Sequence, residues 1–238
     1  GSCRHCGESW EELMSTGVFI TLEGPDGCGK STQARMLRDA LAAAGYDVVS
    51  TFEPGGTAIG RRIREIILDT KSSGMCGTAE FLLYAADRAQ DVHEVIMPAL
   101  AAGRIVIGDR FVDSSIAYQG YGLGMDVEAV RAVNAIATCG LVPDLTVLLD
   151  IDPAMGVARA TGSRDADRIE RRKLAFHTSV RNAYLQMAAD EPKRFRVVGV
   201  GDRSIDQVHA AICREVFGFL ANRATSARTQ CQPDAREV

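Results

Sequence analysis

The sequence predicts an α/β protein whose parallel sheet is covered by helices on both faces. Three observations predict it. Short runs such as Ile105-Val106-Ile107 are apolar throughout rather than alternating, as strands buried on both sides must be. Longer segments with apolar residues at helical spacing separate them, so strands and helices take turns along the chain. A glycine-rich segment lies where the first strand gives way to the first helix, the end of such sheets at which ligands collect.

Val18–Glu23 is a β-branched and aromatic run that ends in glycine, and it reads as the first strand. Lys30–Ala44 places Ala34, Leu37, Ala40 and Leu41 on one stripe and stops at Gly45, a helix. Asp47–Phe52 is the second strand. A Pro54-Gly55-Gly56 turn and an amphipathic helix from about Ala58 to Leu68 follow. Ala79–Leu100 is a long helix, bent or ended near Pro98. Arg104–Asp109 is the third strand. Asp126 caps a helix over 126–138, and Leu145–Asp150 is the fourth strand. Arg196–Val200 is a weaker fifth strand, and a last helix runs from Ser204 to about Leu220.

With 238 residues the chain suits one sizeable domain, here 17–220. Residues 1–16 read as a flexible extension, in which Gly1-Ser2 has the look of a cloning scar and Met14 of a natural start. Residues 221–238 are polar and aperiodic, and disorder is expected there.

Twenty-seven basic against 31 acidic side chains give a net charge of −4, which argues against a nucleic-acid or membrane-surface binder. No apolar run approaches the ~18–20 residues that span a bilayer, so a cytoplasmic protein is expected. Seven scattered cysteines do not form a disulfide framework. Cys3-Arg4-His5-Cys6 has zinc-ligand spacing, but no second pair accompanies it.

Gly24-Pro25-Asp26-Gly27-Cys28-Gly29-Lys30-Ser31 fits G-x-x-x-x-G-K-[ST] in full, with Thr32 next in the binding set. The glycines let backbone N–H groups wrap a phosphate, and the helix N-terminus adds partial positive charge. Lys30 then serves the β- and γ-oxygens of ATP, and the Ser31 hydroxyl serves Mg²⁺. Cys28 reads as a small filler. These features complete the predicted fold: a three-layer P-loop NTPase with a five-stranded parallel sheet flanked by helices. No Asn-Lys-x-Asp guanine-reading segment exists, so a GTPase is not favoured. Asp109 at a strand end suits Mg²⁺, and Arg110 beside it suits a phosphate bidentately; the alternative for the pair is a surface salt bridge.

At this point the sequence resembles the thymidylate kinases. The resemblance covers about residues 17–220 and rests on separated motifs in the right order. They are Glu23 through Ser31, Glu53-Pro54-Gly55-Gly56-Thr57, Leu83-Tyr84-Ala85-Ala86-Asp87-Arg88, Asp109-Arg110-Phe111 through Tyr118-Gln119-Gly120, and Pro143-Asp144-Leu145. It implies phosphorylation of dTMP to dTDP by Mg-ATP in dTTP synthesis, in a homodimer. It also implies that Asp26 meets the acceptor's 3′-hydroxyl, that Tyr84 stacks on thymine and that Arg88 hydrogen-bonds its edge. Arg64 and Arg110 match the acceptor-phosphate ligands, and Ser114, Ser115 and Gln119 the contacts to base and sugar.

The residues by themselves leave alternatives open. Asp26 also fits a solvated loop acid, Tyr84 a core aromatic, and Arg88 a helix salt bridge with Asp91 or Glu94. Ser114 and Ser115 also fit turn chemistry. In bacterial members an arginine commonly precedes the Glu-Pro-Gly-Gly segment, where Phe52 stands here. Its phosphate contact is then lost or supplied elsewhere, and Phe52 packs against the substrate instead.

Residues 159–172 carry five arginines among acids and read as a solvated helical face or a short lid. Transfer of a γ-phosphoryl group needs positive charge at its equatorial oxygens, and the loop offers none before Lys30. Arg164 and Arg168, with Arg159 just before them, match the family's lid arginines. Two other readings stand beside the dTMP kinase: a related kinase with another acceptor and, more remotely, a non-catalytic nucleotide-binding regulator.

Overall fold

The computed structural model describes residues 17–162 and 167–230. Arg164, the Cys3–Cys6 pair, Met14 and the last eight residues fall outside them. Five strands, β1 (Val18–Glu23), β2 (Val48–Phe52), β3 (Ile105–Asp109), β4 (Leu145–Asp150) and β5 (Phe195–Gly199), form one sheet. Their order is β2-β3-β1-β4-β5, and every pair is parallel. The helices are α1 (Lys30–Ala43), α2 (Ala58–Leu68), α3 (Gly77–Asp91), α4 (Met97–Ala101), α5 (Val112–Ser115) and α6 (Val127–Thr138), then α7 (Pro153–Thr161), α8 (Leu174–Asp190) and α9 (Ile205–Gln230).

The alternation of β1 explains the layers. Val18, Ile20 and Leu22 point to one face, where they pack with Leu37 and Leu41 of α1 and Ile212 and Val216 of α9. Phe19 points to the other and meets Val92, Ile96 and Leu100 beside α3 and α4. β1 and β3 are buried along their whole length, and each fully buried Leu or Ile contributes roughly 1.5–3 kcal/mol.

Three sequence expectations change. The long helix is interrupted upstream of Pro98 by a wider, π-helical turn over Val92–Ile96. Pro98 sits in the first turn of α4, where a missing N–H costs nothing. The helix expected to end near Leu220 runs on to Gln230. Arg223 accounts for part of the extension, since it donates to Asp144 at 2.6 Å and to the Gly17 carbonyl at 3.1 Å. The third change is α8, a helix with no counterpart among the predicted elements. Its inner stripe of His177, Val180, Tyr184 and Met187 mixes polar and apolar residues, so hydropathy alone hides it. Among the described residues no helix is long and apolar enough to cross a membrane.

Candidate active site

A cleft of about 870 Å³ opens at the carboxyl ends of β1, β2 and β3. Gly27, Gly29, Lys30, Ser31 and Thr32 line it from the loop after β1, and Phe52 lines it from the end of β2. Asp109 and Arg110 line it from the end of β3. Gly24 and Gly29 hold positive φ of 144° and 92°, which glycine alone adopts freely. A Cβ on Gly24 would come within 2.4 Å of the Leu149 carbonyl, so the loop begins flush against β4.

Lys30 donates to the carbonyls of Gly24 and Pro25, both at 2.9 Å. Cys28 is buried beneath the loop, and burial pushes its thiol up despite the nearby Lys30 ammonium. It is a packing residue. The Ser31 hydroxyl donates to Asp109 Oδ2 at 2.5 Å, so the strand end and the helix start share one polar point at the cleft.

Arg110 joins the two halves of the site. Its φ of 75° is a strained value for a side-chain-bearing residue and costs roughly 1–3 kcal/mol. The side chain offsets that cost with many partners. Nη1 reaches Ser114 Oγ at 3.0 Å, and Nη2 reaches Asp26 Oδ1 at 2.5 Å and Tyr118 Oη at 3.2 Å. Its guanidinium lies 4.9 Å from the Tyr118 ring centroid. Burial alone would raise the Asp26 carboxyl, but Arg110 and Lys30 outweigh it and hold the group below its ordinary value.

Glu23, one residue before the loop, anchors this network from beneath. It accepts from the Phe111 N–H at 2.7 Å, from Ser114 Oγ at 2.7 Å and from Tyr184 Oη at 2.7 Å. Burial, then the charge of Asp113, raises its carboxyl against the pull of Arg110.

The acceptor side is less as expected. Tyr84, Arg64, Ser114, Ser115 and Gln119 all line the cleft. Phe52 lies under Arg64, whose guanidinium is 6.0 Å from the ring centroid, and Arg64 Nη1 donates to the Pro54 carbonyl at 2.8 Å. Arg88 does not line the cleft. It is 1% exposed and spends its donors on Ser115 at 3.1 Å, Asn134 at 2.7 Å and the Phe111 carbonyl at 3.1 Å. Its salt-bridge partner is Glu53, at 2.8 Å, and not the helix neighbours Asp91 or Glu94. Burial, with Asp91 and Asp87 close by, raises Glu53 well above its usual range even with Arg88 against it.

Arg168 is also placed differently from the expectation of a lid over ATP. It donates to the Ile67 carbonyl at 2.9 Å and to Glu80 at 2.6 Å, and it is not among the cleft-lining residues. Its neighbours Asp167, Ile169 and Glu170 are. Arg35 and Arg38 of α1 and Tyr118 also line the cleft without having been singled out. Tyr118 stood inside a quoted motif. Arg35 and Arg38 follow Ser31 at helical spacing, the signal that could have found them. Among the described residues no three His, Cys, Asp or Glu side chains gather as a metal cluster.

A family model described as thymidylate kinase matches residues 22–212. The thymidylate kinase of Exiguobacterium sibiricum is 48% identical over 208 residues, 87% of this chain and 98% of that protein. That of Halothermothrix orenii is 51% identical over 207 residues, 86% of this chain and 98% of its own. The crystal structure of thymidylate kinase from Ehrlichia chaffeensis superposes with a TM-score of 0.69 at 32% identity, over 84% of this chain and 98% of that one. Two of the relatives are thus nearly half identical or more along almost their whole lengths, and one cleft carries the phosphate loop together with Arg64, Tyr84, Arg110 and Gln119. The chain belongs to the thymidylate kinase family.

Proposed function

We propose that the protein transfers the γ-phosphoryl group of ATP to the 5′-phosphate of dTMP, giving dTDP for dTTP synthesis. One observation carries the reading: a single cleft joins the phosphate loop to Asp26, Arg64, Tyr84, Arg110 and Gln119. The two substrates thus meet in one cleft.

The acceptor phosphate is already a competent nucleophile near neutral pH, so no general base is required. What the chain supplies is position and charge. The N–H groups of the loop and Lys30 take the donor phosphates, and Arg64 and Arg110 take the acceptor phosphate. Asp26, held ionised by Arg110, receives the sugar hydroxyl. Tyr84 offers a ring face to the base, with Ser114, Ser115 and Gln119 around it. Arg88 acts one layer back, holding Ser115 in place. Ser31 and Asp109 fit Mg²⁺, because a hydroxyl and a carboxylate that share one hydrogen bond are the hard oxygen donors this ion uses with its own waters. When bound, the ion neutralises charge on the β- and γ-phosphates. Arg164 and Arg168 are the candidates for the remaining charge at the γ-phosphate. Arg168 must first leave Glu80.

The test is ADP release with and without dTMP, followed by dUMP, dCMP and UMP. Acceptor-dependent release that is greatest with dTMP is expected. A preference for dUMP would transfer the reading to another acceptor, and ATP hydrolysis indifferent to acceptor would favour a regulator. A homodimer belongs to the same reading, supported by the exposed Ile59, Ile66 and Leu82 on α2 and α3. Light scattering at twice the chain mass is the expected result.

A further inference from the structure

Glu80 stands on α3 one turn before Tyr84 and is 1% exposed. Three side chains donate to it. Arg168 Nη2 and Arg172 Nη2 each reach Oε2 at 2.6 Å, and Gln119 Nε2 reaches Oε1 at 3.0 Å. As the shared partner of two guanidinium groups it is a carboxylate, with lone pairs and no proton to give.

That fact fixes the neighbouring amide. A primary amide donates at one end and accepts at the other, and rotation by half a turn exchanges them. Against an acceptor-only partner, Gln119 has to present its NH₂ group. Its carbonyl oxygen, to which no described residue donates, is left for the cleft that Gln119 lines beside Tyr84 and Ser115.

We infer that Glu80 is a positioning residue for acceptor choice. By holding the Gln119 amide in one sense, it makes the site select a pyrimidine that donates from N3. Thymine and uracil carry a hydrogen on N3; cytosine carries a lone pair there. Facing a fixed carbonyl oxygen, the first two gain a hydrogen bond and cytosine meets two lone pairs. This rests on the proposed function, in which Gln119 faces the base. It adds the residue that decides which atom Gln119 shows. A site that hydrogen-bonds one edge and leaves the other unpaired discriminates by about a hundredfold or more.

The experiment compares kcat/KM for dTMP and dCMP in the parent enzyme, Glu80→Gln and Gln119→Met. An amide at 80 both donates and accepts, so Gln119 becomes free to turn over and offer its NH₂ group to N3 of cytosine. The dTMP-to-dCMP ratio is expected to fall about tenfold or more in Glu80→Gln; because both acceptors share the same ATP site, any effect of freeing Arg168 cancels in the ratio. Gln119→Met removes both ends of the amide and is expected to lower the ratio as well; it stands in if Glu80→Gln does not fold. A ratio that stays at the parent value in the folded variants, even with slower turnover, overturns the inference and leaves Glu80 as an anchor for Arg168 and Arg172. The parent enzyme separates the two readings. Absence of dTMP-dependent ADP release defeats the function itself, whereas normal release with an unmoved ratio defeats only the role of Glu80.

Discussion

Arg110 donates to Asp26 at 2.5 Å, tying the phosphate loop to the residue after β3 across 84 positions of sequence. One ion pair therefore sits between the two parts of the cleft that the proposed function gives to ATP and to the acceptor. Its position explains why a carboxylate is tolerated inside a phosphate cradle: Arg110 and Lys30 offset the charge before any phosphate arrives.

Asp26→Asn keeps the shape and removes the charge, so Arg110 loses its charged partner and, in the proposed function, the sugar hydroxyl loses its ionised acceptor. A charged hydrogen bond of this kind is worth about 1.5–3 kcal/mol, so kcat/KM for dTMP is expected to fall about 10- to 100-fold. The KM for ATP should change by less than about threefold on the same reasoning. Steady-state kinetics with each substrate varied in turn checks both. Because the folded Asp26 lies below its ordinary value, its contribution is complete above about pH 4 and is lost as pH falls through the lowered value. Asp26 should therefore leave the profile flat between about pH 5 and 9.

Legibility in the sequence followed distance along the chain. The loop from Gly24 to Ser31 and the strand before it are contiguous, and both stood where expected. The strands β1, β3 and β4 were the easiest to place because burial on both faces gives them near-continuous apolar runs, with polar residues few and mostly at the carboxyl ends. The family resemblance sets Arg88 at the edge of the base, and its helix offers Asp91 or Glu94 as the alternative partner. Its actual partners come from three other segments, Glu53, Phe111 with Ser115, and Asn134, which only the fold brings together. The Glu23–Tyr184 bond spans 161 residues and was equally hidden.

Asp87 and Asp91 are fully buried carboxyls, each pushed up to about 6, mainly by burial. The hydrogen bonds from Gly55 N–H to Asp87 and from Thr51 to Asp91 pull the other way but do not cancel it. A raised carboxyl means that the folded protein holds its proton more tightly than the unfolded chain. The associated stability is present below about pH 4 and is lost as pH rises through about 6. Asp91→Asn removes this cost and lets the amide oxygen keep the Thr51 hydroxyl. Its Tm relative to the parent is expected to improve between about pH 5 and pH 8, toward a limit on the order of 2–3 kcal/mol. Thermal unfolding at both values checks it. A pH-independent difference would mean that Asp91 titrates well below this window.

Arg164→Ala and Arg168→Ala are expected to differ. Arg168 already discharges its guanidinium on Glu80 and the Ile67 carbonyl, so its loss falls first on the packing of residues 167–172. Arg172 and Gln119 still pair with Glu80 after that change, so the cost is about 1–3 kcal/mol rather than that of an orphaned buried charge, and it should appear as a lower Tm. Arg164→Ala should instead leave Tm within about 2 °C and lower kcat by about 10- to 1000-fold, the size of a lost charge at a transferring phosphoryl group. Thermal unfolding and saturating kinetics on the two variants decide it. A larger kcat loss for Arg168→Ala would show that the Glu80 contact opens during turnover.

Gly156 makes a demand on the fold from outside the phosphate loop. It lies in α7, in ordinary helical backbone, where alanine would be favoured over glycine by about 1 kcal/mol. Yet a Cβ there would stand 2.5 Å from the carbonyl oxygen of Asp26, and a Cβ on Gly27 would stand 2.0 Å from the carbonyl oxygen of Gly156. The phosphate loop and α7 thus touch backbone to backbone, with no flexible side chain between them to give way. Steric relief has to come from moving the loop or the helix, at roughly 1–3 kcal/mol, which exceeds the gain in helix propensity. Gly156→Ala is therefore expected to lower Tm and to weaken ATP binding about tenfold, although the residue is not part of the phosphate-binding motif. Isothermal titration with ATP, alongside unfolding, measures both. A more stable protein with unchanged ATP affinity would show that the loop has room to retreat and that the contact at Gly156 does not set its shape.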